Sequence, residues 1–281
     1  MVVDADLSVQ PATAQFQSEE AARAYSESYT GWGTYARYYR SRMNLVWQFL
    51  QSVPNGDLLD VGCGPGVMVH DIVTRRPGDF SVDAIDDSAA MVAACEERTR
   101  GAANVCAVVG RAESMPYEDK SFDVVLAMGV LEYTEIRAAL AEIARVSRPD
   151  ALVLVTMLNP LSPYRIVEWH ILAPVARLVG RLQALIGVPA DQRHGRTPIE
   201  TKAYRRGELV TTMTAVGLRP VDGAYYDVTL LVPPVDRYLR RWVRRWEARP
   251  ERTISRGWFK WLGTAYLVAA RRDHPVTQHI A

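Results

Sequence analysis

Two hydrophobic patterns alternate along residues 57 to 157. Short apolar runs rich in Val, Ile and Leu predict buried strands, and apolar residues repeated every three or four positions predict helices between them. Strands are predicted at 57–61, 80–85, 104–109, 122–128 and 151–157, with helices near 66–76, 88–99 and 135–146. Strands and helices that alternate at this spacing are typical of βαβ units built around a parallel sheet.

The patterns on either side of this block extend the same domain. A helical pattern runs from Gln17 to about Ser52 and is broken at 29–33. After the block, 165–206 is typical of helices with a polar loop, and a helix at 207–216 precedes strands near 219–232 and at 264–271. We expect one doubly wound α/β domain at 16–272, between a disordered N-terminus at 1–15 and a tail at 273–281. Right-handed crossovers then place a ligand at the carboxyl ends of the strands.

A glycine-rich turn follows the first predicted strand in the stretch LLDVGCGPG. Gly62, Gly64 and Gly66 stand at alternate positions between that strand and a helix. A strand, a glycine turn and a helix in this order predict a nucleotide site. The dinucleotide fingerprint would need a further glycine at the position of Val67, so that fingerprint is absent.

An acidic residue ends the second predicted strand. Asp86 follows Gly64 by 22 residues, a spacing at which a carboxylate accepts hydrogen bonds from both ribose hydroxyls. The alternative role, a cap at the start of the next helix, suits Asp87 or Ser88 better. We therefore expect Asp86 to bind the ribose.

Composition and charge exclude several classes of protein. A net charge of +1 does not indicate any class of charged partner. The three cysteines have no metal-ligand spacing, so we expect no metal and a reduced, cytoplasmic protein. Acidic residues near the start argue against a secretory leader, and the chain has no apolar run of about 18 residues.

Four stretches in order resemble the class I S-adenosylmethionine-dependent methyltransferases. They are LLDVGCGPG, VDAIDDSAAMVAAC, GRAESMPYEDKSFDVVLAMGVLEY and EIARVSRPDALVLVTMLN. The chain is most similar to the small-molecule subgroup that includes quinone-biosynthesis enzymes, over residues 40 to 160. The resemblance implies a Rossmann-like, mostly parallel sheet of seven strands, of which the last is antiparallel, with S-adenosylmethionine as cofactor.

The resemblance also implies a set of cofactor-binding residues. Asp60 would face the methionine ammonium, Asp86 would hold the ribose and Met91 would pack on the adenine. Arg111 stands where the family commonly has a carboxylate beside the adenine amino group, which favours recognition of the adenine by backbone groups. The full set is Asp60, Gly62, Gly64, Asp86, Asp87, Met91, Ala112, Glu113, Met128 and Gly129.

Methyl transfer to a hydroxyl also needs a base for the acceptor proton. Among the five histidines, His170 and His194 fall in the insert at 159–206, where this fold places the cover of the acceptor. Tyr133 follows strand four at a position where related enzymes often carry histidine. We take His170 as a candidate base and Tyr133 as a residue lining the acceptor site, with a structural role as the alternative for each.

The family assigns roles to the parts of the domain. Residues 16–52, which contain Trp32 and five tyrosines, would form a lid, because aromatic side chains bury a large apolar area and keep a polar tip. Residues 53–158 would form the cofactor-binding core, 159–206 the acceptor-side insert and 207–272 the rest of the sheet with a basic helix. The tyrosines are at 25, 29, 35, 38 and 39.

That basic helix is predicted over 235–261, where apolar residues at helical spacing alternate with five arginines at 237, 240, 241, 244 and 245. It could meet anionic lipid, bind a phosphorylated acceptor or cover the sheet. We favour the last role, with membrane contact as the alternative. We also expect no nucleic-acid partner, because no recognition module accompanies the helix.

The sequence therefore predicts an enzyme that methylates a small-molecule acceptor, most simply the oxygen of a biosynthetic intermediate, as a monomer or a homodimer. Three alternatives remain open: methylation of carbon or nitrogen, a membrane-associated lipid or quinone methyltransferase, and an inactive S-adenosylmethionine-binding regulator.

Overall fold

The computed structural model describes residues 16–30, 34–189, 193, 201–229 and 254–273. Eight helices are described: α1 (Glu19–Thr30), α2 (Thr34–Leu50), α3 (Val67–Arg75), α4 (Ala89–Arg98), α5 (Ile136–Val146), α6 (Pro163–Val167), α7 (Ala173–Leu185) and α8 (Arg206–Ala215). A π-helical turn, Glu168–Leu172, joins α6 to α7.

The eight described strands form one mixed sheet. They are β1 (Gly56–Val61), β2 (Phe80–Asp86), β3 (Val105–Val109), β4 (Phe122–Met128), β5 (Ser147–Leu158), β6 (Leu218–Val228), β7 (Ile254–Ser255) and β8 (Gly263–Arg272). Their order is β3-β2-β1-β4-β5-β8-β6-β7. The first five in this order are parallel, and β8 runs antiparallel to both β5 and β6. The predicted doubly wound fold and its antiparallel last strand are thereby confirmed, with the two-residue β7 as an eighth strand.

The predicted helix at 235–261 is wrong at its C-terminal end. Ile254 and Ser255 instead pair with Tyr226 and Tyr225 as a short antiparallel edge strand. Residues 258–262 then form a 3-10 turn that contacts β6 and α6. Pairing with β6 gives the backbone N–H and C=O groups of this segment hydrogen-bond partners. The periodicity of apolar residues does not reveal such a pairing. Residues 230–253 lie outside the described residues, as do 1–15 and 274–281, where a disordered N-terminus and most of the tail were predicted.

Two hydrophobic clusters cover the two faces of the sheet. Side chains alternate between the faces along each strand, so Leu59 and Val61 enter one cluster and Leu58 the other. Helices α5 and α8 cover the first face, and α2 and α3 cover the second. The parallel arrangement brings the carboxyl ends of β1, β2, β3 and β4 to one edge, where the glycine turn, Asp86 and Met128 meet.

Candidate functional site

The glycine turn between β1 and α3 is built on left-handed backbone. Gly62, Gly64 and Gly66 have φ angles of 70°, 53° and 69°, a region in which side chains are strained. An added Cβ would lie 2.6 Å from Val130 at Gly62 and 2.5 Å from the Cys95 sulfur at Gly66. At Gly64 the nearest atom would be a Tyr25 ring carbon at 3.6 Å. The first and third glycines are thus required by packing, whereas a Cβ at the second would make only an ordinary van der Waals contact.

Asp86 connects this turn to the start of α4. One carboxylate oxygen accepts a hydrogen bond from the Gly64 N–H at 2.9 Å and the other accepts one from the Ser88 N–H at 3.0 Å. Burial raises the pKa of Asp86, although these two N–H donors oppose the rise. Ser88, not Asp87, caps α4, because its hydroxyl accepts a hydrogen bond from the Met91 N–H. Asp87 is exposed, and Met91 is buried.

Asp60 is the deepest charged group at this edge. Its side chain is 1% exposed, and neither carboxylate oxygen has a hydrogen-bond partner within the described part of the chain. Burial raises the pKa of Asp60 to about 7, while the charge of Arg42 lowers it and that of Asp86 adds to the rise. An unpartnered buried carboxylate is costly, so this position suits a cationic or hydrogen-bond-donating ligand.

Arg42, on α2, supplies the complementary charge. Its guanidinium donates to the Met128 carbonyl at 3.2 Å and to the Tyr29 hydroxyl at 2.6 Å, while its Nε has no partner among the described residues. Gly129 (φ 73°) leaves room for it, because a Cβ there would lie 2.8 Å from an Arg42 nitrogen. A buried carboxylate and a buried guanidinium with spare hydrogen-bonding capacity fit the ammonium and the carboxylate of an amino-acid group.

The loop after β3 contains two of the predicted cofactor-binding residues, Ala112 and Glu113. Ala112 is buried. The Glu113 carboxylate accepts a hydrogen bond from the Glu135 N–H at 3.0 Å and pairs with Arg111 at 3.4 Å. Burial opposes ionisation of Glu113, but backbone N–H groups and Arg111 outweigh it and lower its pKa. Glu113 therefore holds the loop against the start of α5 in this structure.

An aromatic cluster from the N-terminal segment lies over this edge. The Phe16 ring packs against Tyr25 and Tyr133, with ring centroids 5.8 and 5.7 Å apart. The Phe16 carbonyl accepts a hydrogen bond from the Ser88 hydroxyl at 2.7 Å. Tyr29 and Tyr39 stack with centroids 4.0 Å apart. The first helices are thereby tied to the loops after β1, β2 and β4. Trp32 and the side chain of Tyr35 lie outside the described residues.

A buried acid, Glu132, stands one residue before Tyr133 in the turn after β4. Its Oε2 has no hydrogen-bond partner within the described ranges, and burial raises its pKa to about 7. The N–H groups of Glu132 and Leu158 and the charges of Arg42 and Arg165 oppose that rise. The sequence signal was a single acid in the apolar run AMGVLEY.

Other polar side chains around Glu132 are mutually paired. Arg37 forms an ion pair with Asp227, which also accepts a hydrogen bond from the Thr264 hydroxyl. The Tyr226 hydroxyl donates to that of Tyr38 at 3.0 Å. These residues come from α2, β6 and β8, which are far apart along the chain. Neither they nor Arg42 carried a motif that sequence analysis could use.

The candidate acceptor residues have different surroundings. Burial raises the pKa of Tyr133, whose hydroxyl is hydrogen-bonded to Thr201. The end of the insert returns to this turn, since the Lys202 N–H donates to the Glu132 carbonyl at 2.9 Å. His170 lies on the π-helical turn and is exposed. His194 lies outside the described residues.

Comparison with known proteins identifies the core. Residues 59–155 match the family model described as a methyltransferase domain. Nocamycin O-methyltransferase of Saccharothrix syringae is 27% identical over 209 residues, which cover 72% of this chain and 73% of that protein. The ubiquinone/menaquinone biosynthesis C-methyltransferase UbiE of Geotalea daltonii is 30% identical over 120 residues, 41% of this chain and 51% of that protein. This chain thus spans about half of the second relative.

A solved structure extends the likeness to the whole fold. Geranyl diphosphate C-methyltransferase from Streptomyces coelicolor A3(2), solved with Mg²⁺, geranyl diphosphate and S-adenosyl-L-homocysteine, superposes with a TM-score of 0.54. The superposition covers 90% of this chain and 83% of that one at 16% identity.

Proposed function

The chain is a class I S-adenosylmethionine-dependent methyltransferase of the small-molecule type, and we propose that it methylates an oxygen of its acceptor. S-adenosylmethionine supplies a methyl group on a sulfonium, which is a good leaving centre. The protein must therefore align an acceptor, exclude water and, for a hydroxyl, remove a proton. The buried, incompletely hydrogen-bonded carboxylate of Glu132 is the observation that carries the proposal.

The cofactor is held by groups at the carboxyl edge of the parallel strands. Asp60 and the Met128 carbonyl bind the methionine ammonium, and Arg42 binds the methionine carboxylate. Gly64 gives the backbone access to the same half of the molecule, because it has no side chain and only the Tyr25 ring lies near it. Asp86 holds the ribose, for which its two backbone contacts already orient the carboxylate.

The adenine half is bounded by the remaining residues of the site. Met91 and Ala112, both buried, pack on the adenine, and Gly62 and Gly129 shape the backbone around the cofactor. Glu113 orders the loop after β3. Phe16 and helix α1 act as a lid, since Phe16 and Tyr25 lie against the loops around this edge, whereas α2 packs on the sheet through Leu45 and Leu50.

Glu132 accepts the acceptor's proton. It lies four residues after Met128 in the turn that follows β4, and its raised pKa places it near the optimum for a base at neutral pH. Arg42 and Arg165 keep part of its population ionised. Tyr133 lines the acceptor site beneath Phe16. We assign no proton transfer to His170, because its side chain faces outward on the exposed π-helical turn.

The test measures methyl transfer to a panel of phenols, enols and amines, with product identified by mass spectrometry. The Glu132→Gln variant should lower kcat by about 10²- to 10⁴-fold and remove an ionisation near pH 7 from the rate profile. Glu118→Gln, at an exposed position on the loop before β4, is the matched control and should change neither.

Calorimetry of S-adenosylhomocysteine binding tests the cofactor site separately from the transfer of the methyl group to oxygen. Glu132→Gln should bind it as the unchanged protein does. A product methylated on carbon or nitrogen, or a Glu132→Gln variant with full activity, would overturn oxygen transfer through Glu132 and leave the methyltransferase assignment intact.

A further inference from the structure

Helix α7 turns its large apolar side chains away from the protein. Val175, Leu178, Val179, Leu182 and Leu185 occupy positions i, i+3, i+4, i+7 and i+10, which places them on one side of a helix. All five are exposed, Leu185 most of all. We refer to these five side chains as the apolar stripe. In an ordinary surface helix such a stripe faces the core. An exposed apolar stripe is instead typical of a surface that binds a partner.

The opposite side of α7 consists of small residues. Gly180 is its one fully buried residue, and Ala176 and Ala184 are partly buried. The helix therefore packs inward through small side chains and presents the large ones outward. Within the described part of the chain, its main neighbour is the π-helical turn that continues from α6.

The charge around the stripe has one sign. Arg177 and Arg181 lie along its margin, and no acidic residue occurs from 169 to 190. Helix α6, which leads into α7 through the π-helical turn, contacts the 3-10 turn Trp258–Leu262. That turn exposes Trp258 (86%), Phe259 and Trp261 beside Lys260. Tryptophan is enriched where a protein meets the boundary between lipid and water.

We infer that α7 docks on an anionic lipid surface, with the apolar stripe in the lipid and Arg177 and Arg181 among the headgroups. Interfacial helices combine an apolar face with arginine or lysine and bind more strongly to anionic lipid. The helix has 13 residues, or about 20 Å, which is too short to cross a bilayer. No helix among the described residues is long and apolar enough to do so.

Charge disfavours two other occupants of the stripe. A second copy meeting the first through the same stripe would bring the two sets of arginines together. The segment 235–253 contains seven arginines and three acidic residues, so it has the same sign of charge as α7. An anionic surface is the occupant that matches both the apolar stripe and its positive margin.

Flotation of the full chain with vesicles tests this inference. The chain should float with phosphatidylcholine vesicles that contain about 30% phosphatidylserine, and far less with pure phosphatidylcholine. Val175→Asp should reduce the bound fraction about tenfold or more, since a carboxylate then enters both apolar and anionic surroundings. Arg177→Gln with Arg181→Gln should remove most of the preference for phosphatidylserine.

The matched control is Val221→Asp on β6, because Val221 is 48% exposed and Val175 is 53% exposed. It should float as the unchanged chain does, and each variant should bind S-adenosylhomocysteine normally. Flotation that is absent with phosphatidylserine, or is equally reduced by Val221→Asp, would overturn the inference. So would a lipid-free dimer, measured by sedimentation equilibrium, that Val175→Asp dissociates.

Discussion

Asp60 and Asp227 are each 1% exposed, and their surroundings are opposite. Asp227 forms an ion pair with Arg37 and accepts a hydrogen bond from Thr264. Asp60 has no hydrogen-bond partner on either oxygen within the described residues, and burial raises its pKa to about 7. A buried charge is tolerated when it is paired, so we infer that Asp227 serves the fold, and we propose that Asp60 binds a ligand.

The two regions around these residues differ in the same way. At the cofactor edge, Asp86 accepts hydrogen bonds from residues at set spacings, Gly64 and Ser88, although Arg42 reaches the Met128 carbonyl across 86 positions. On the acceptor side, the Arg37–Asp227 pair spans 190 positions of the chain. A structural role and a binding role are therefore distinguished by partners, not by burial.

The largest effect is expected from breaking the paired aspartate. Asp227→Asn should lower the free energy of unfolding by about 3–5 kcal/mol, because it leaves the Arg37 charge buried and uncompensated. Asparagine tolerates the positive φ of 54° at this position. Urea unfolding is the measurement, with the exposed Asp222→Asn as control, where about 1 kcal/mol or less is expected. A loss no larger than the control's would contradict the structural role of the pair.

The glycine turn offers a comparison between two neighbouring positions. Gly66→Ala should lower the free energy of unfolding by roughly 2–4 kcal/mol, since strain at positive φ adds to a clash with Cys95. Gly64→Ala meets no atom closer than 3.6 Å, so it should cost only the backbone strain, about 1–2 kcal/mol. Its main effect should be weaker binding of S-adenosylhomocysteine. Equal losses of stability in both variants would show that Gly64 serves only the turn.

Changing the unpartnered aspartate should affect binding and spare the fold. Asp60→Asn should weaken S-adenosylhomocysteine binding by about 1.5–3 kcal/mol, the range for a hydrogen bond to a charged group. Its stability at pH 8 should equal or exceed that of the unchanged protein, since a costly buried charge is removed. Calorimetry and urea unfolding on the same sample measure both. Normal binding would remove Asp60 from the site.

The raised pKa of Asp60 also predicts a pH dependence of stability. The pKa of Asp60 is raised from 3.8 to about 7 in the folded state. Its contribution to stability is therefore fully present below the unfolded pKa and is lost as the pH rises through 7. Relative to Asp60→Asn, the free energy of unfolding of the unchanged protein should fall by up to about 1.4 kcal/mol per pH unit between the unfolded pKa of 3.8 and the folded pKa of about 7. Parallel stability curves for the two proteins would show that Asp60 does not titrate there.

The order of elements was predictable because it depends on local patterns. The helix at 88–99 is α4 (Ala89–Arg98), and the strand at 122–128 is β4. In each case the period of apolar residues is carried by one short segment. The pattern at 235–261 predicted a helix throughout, and Ile254–Ser255 instead pairs with β6. Strand pairing between distant segments overrides local preference, and periodicity cannot detect it.

The candidate site divides in the same manner. Gly62, Gly64 and Asp86 were selected from their spacing and Met128 from the family resemblance, and the structure brings them to one edge. The sequence selected Tyr133 and passed over its neighbour Glu132, since nothing in the order of residues tells which of them is fully buried. Arg42 is one of several arginines on an amphipathic helix, so its burial was equally invisible.

The sequence by itself determined the parallel core, the glycine turn and a nucleotide site, and the family resemblance supplied the class of cofactor. These features depend on short stretches of chain: the periods of strands and helices, the glycines of one turn, and the spacing of 22 residues between Gly64 and Asp86. Only the tertiary structure decided which charges are paired, which acid lies beside Arg42 and Arg165, and that α7 turns its apolar side outward. Burial and pairing depend on segments up to 190 residues apart, and the free energies involved arise only when those segments meet.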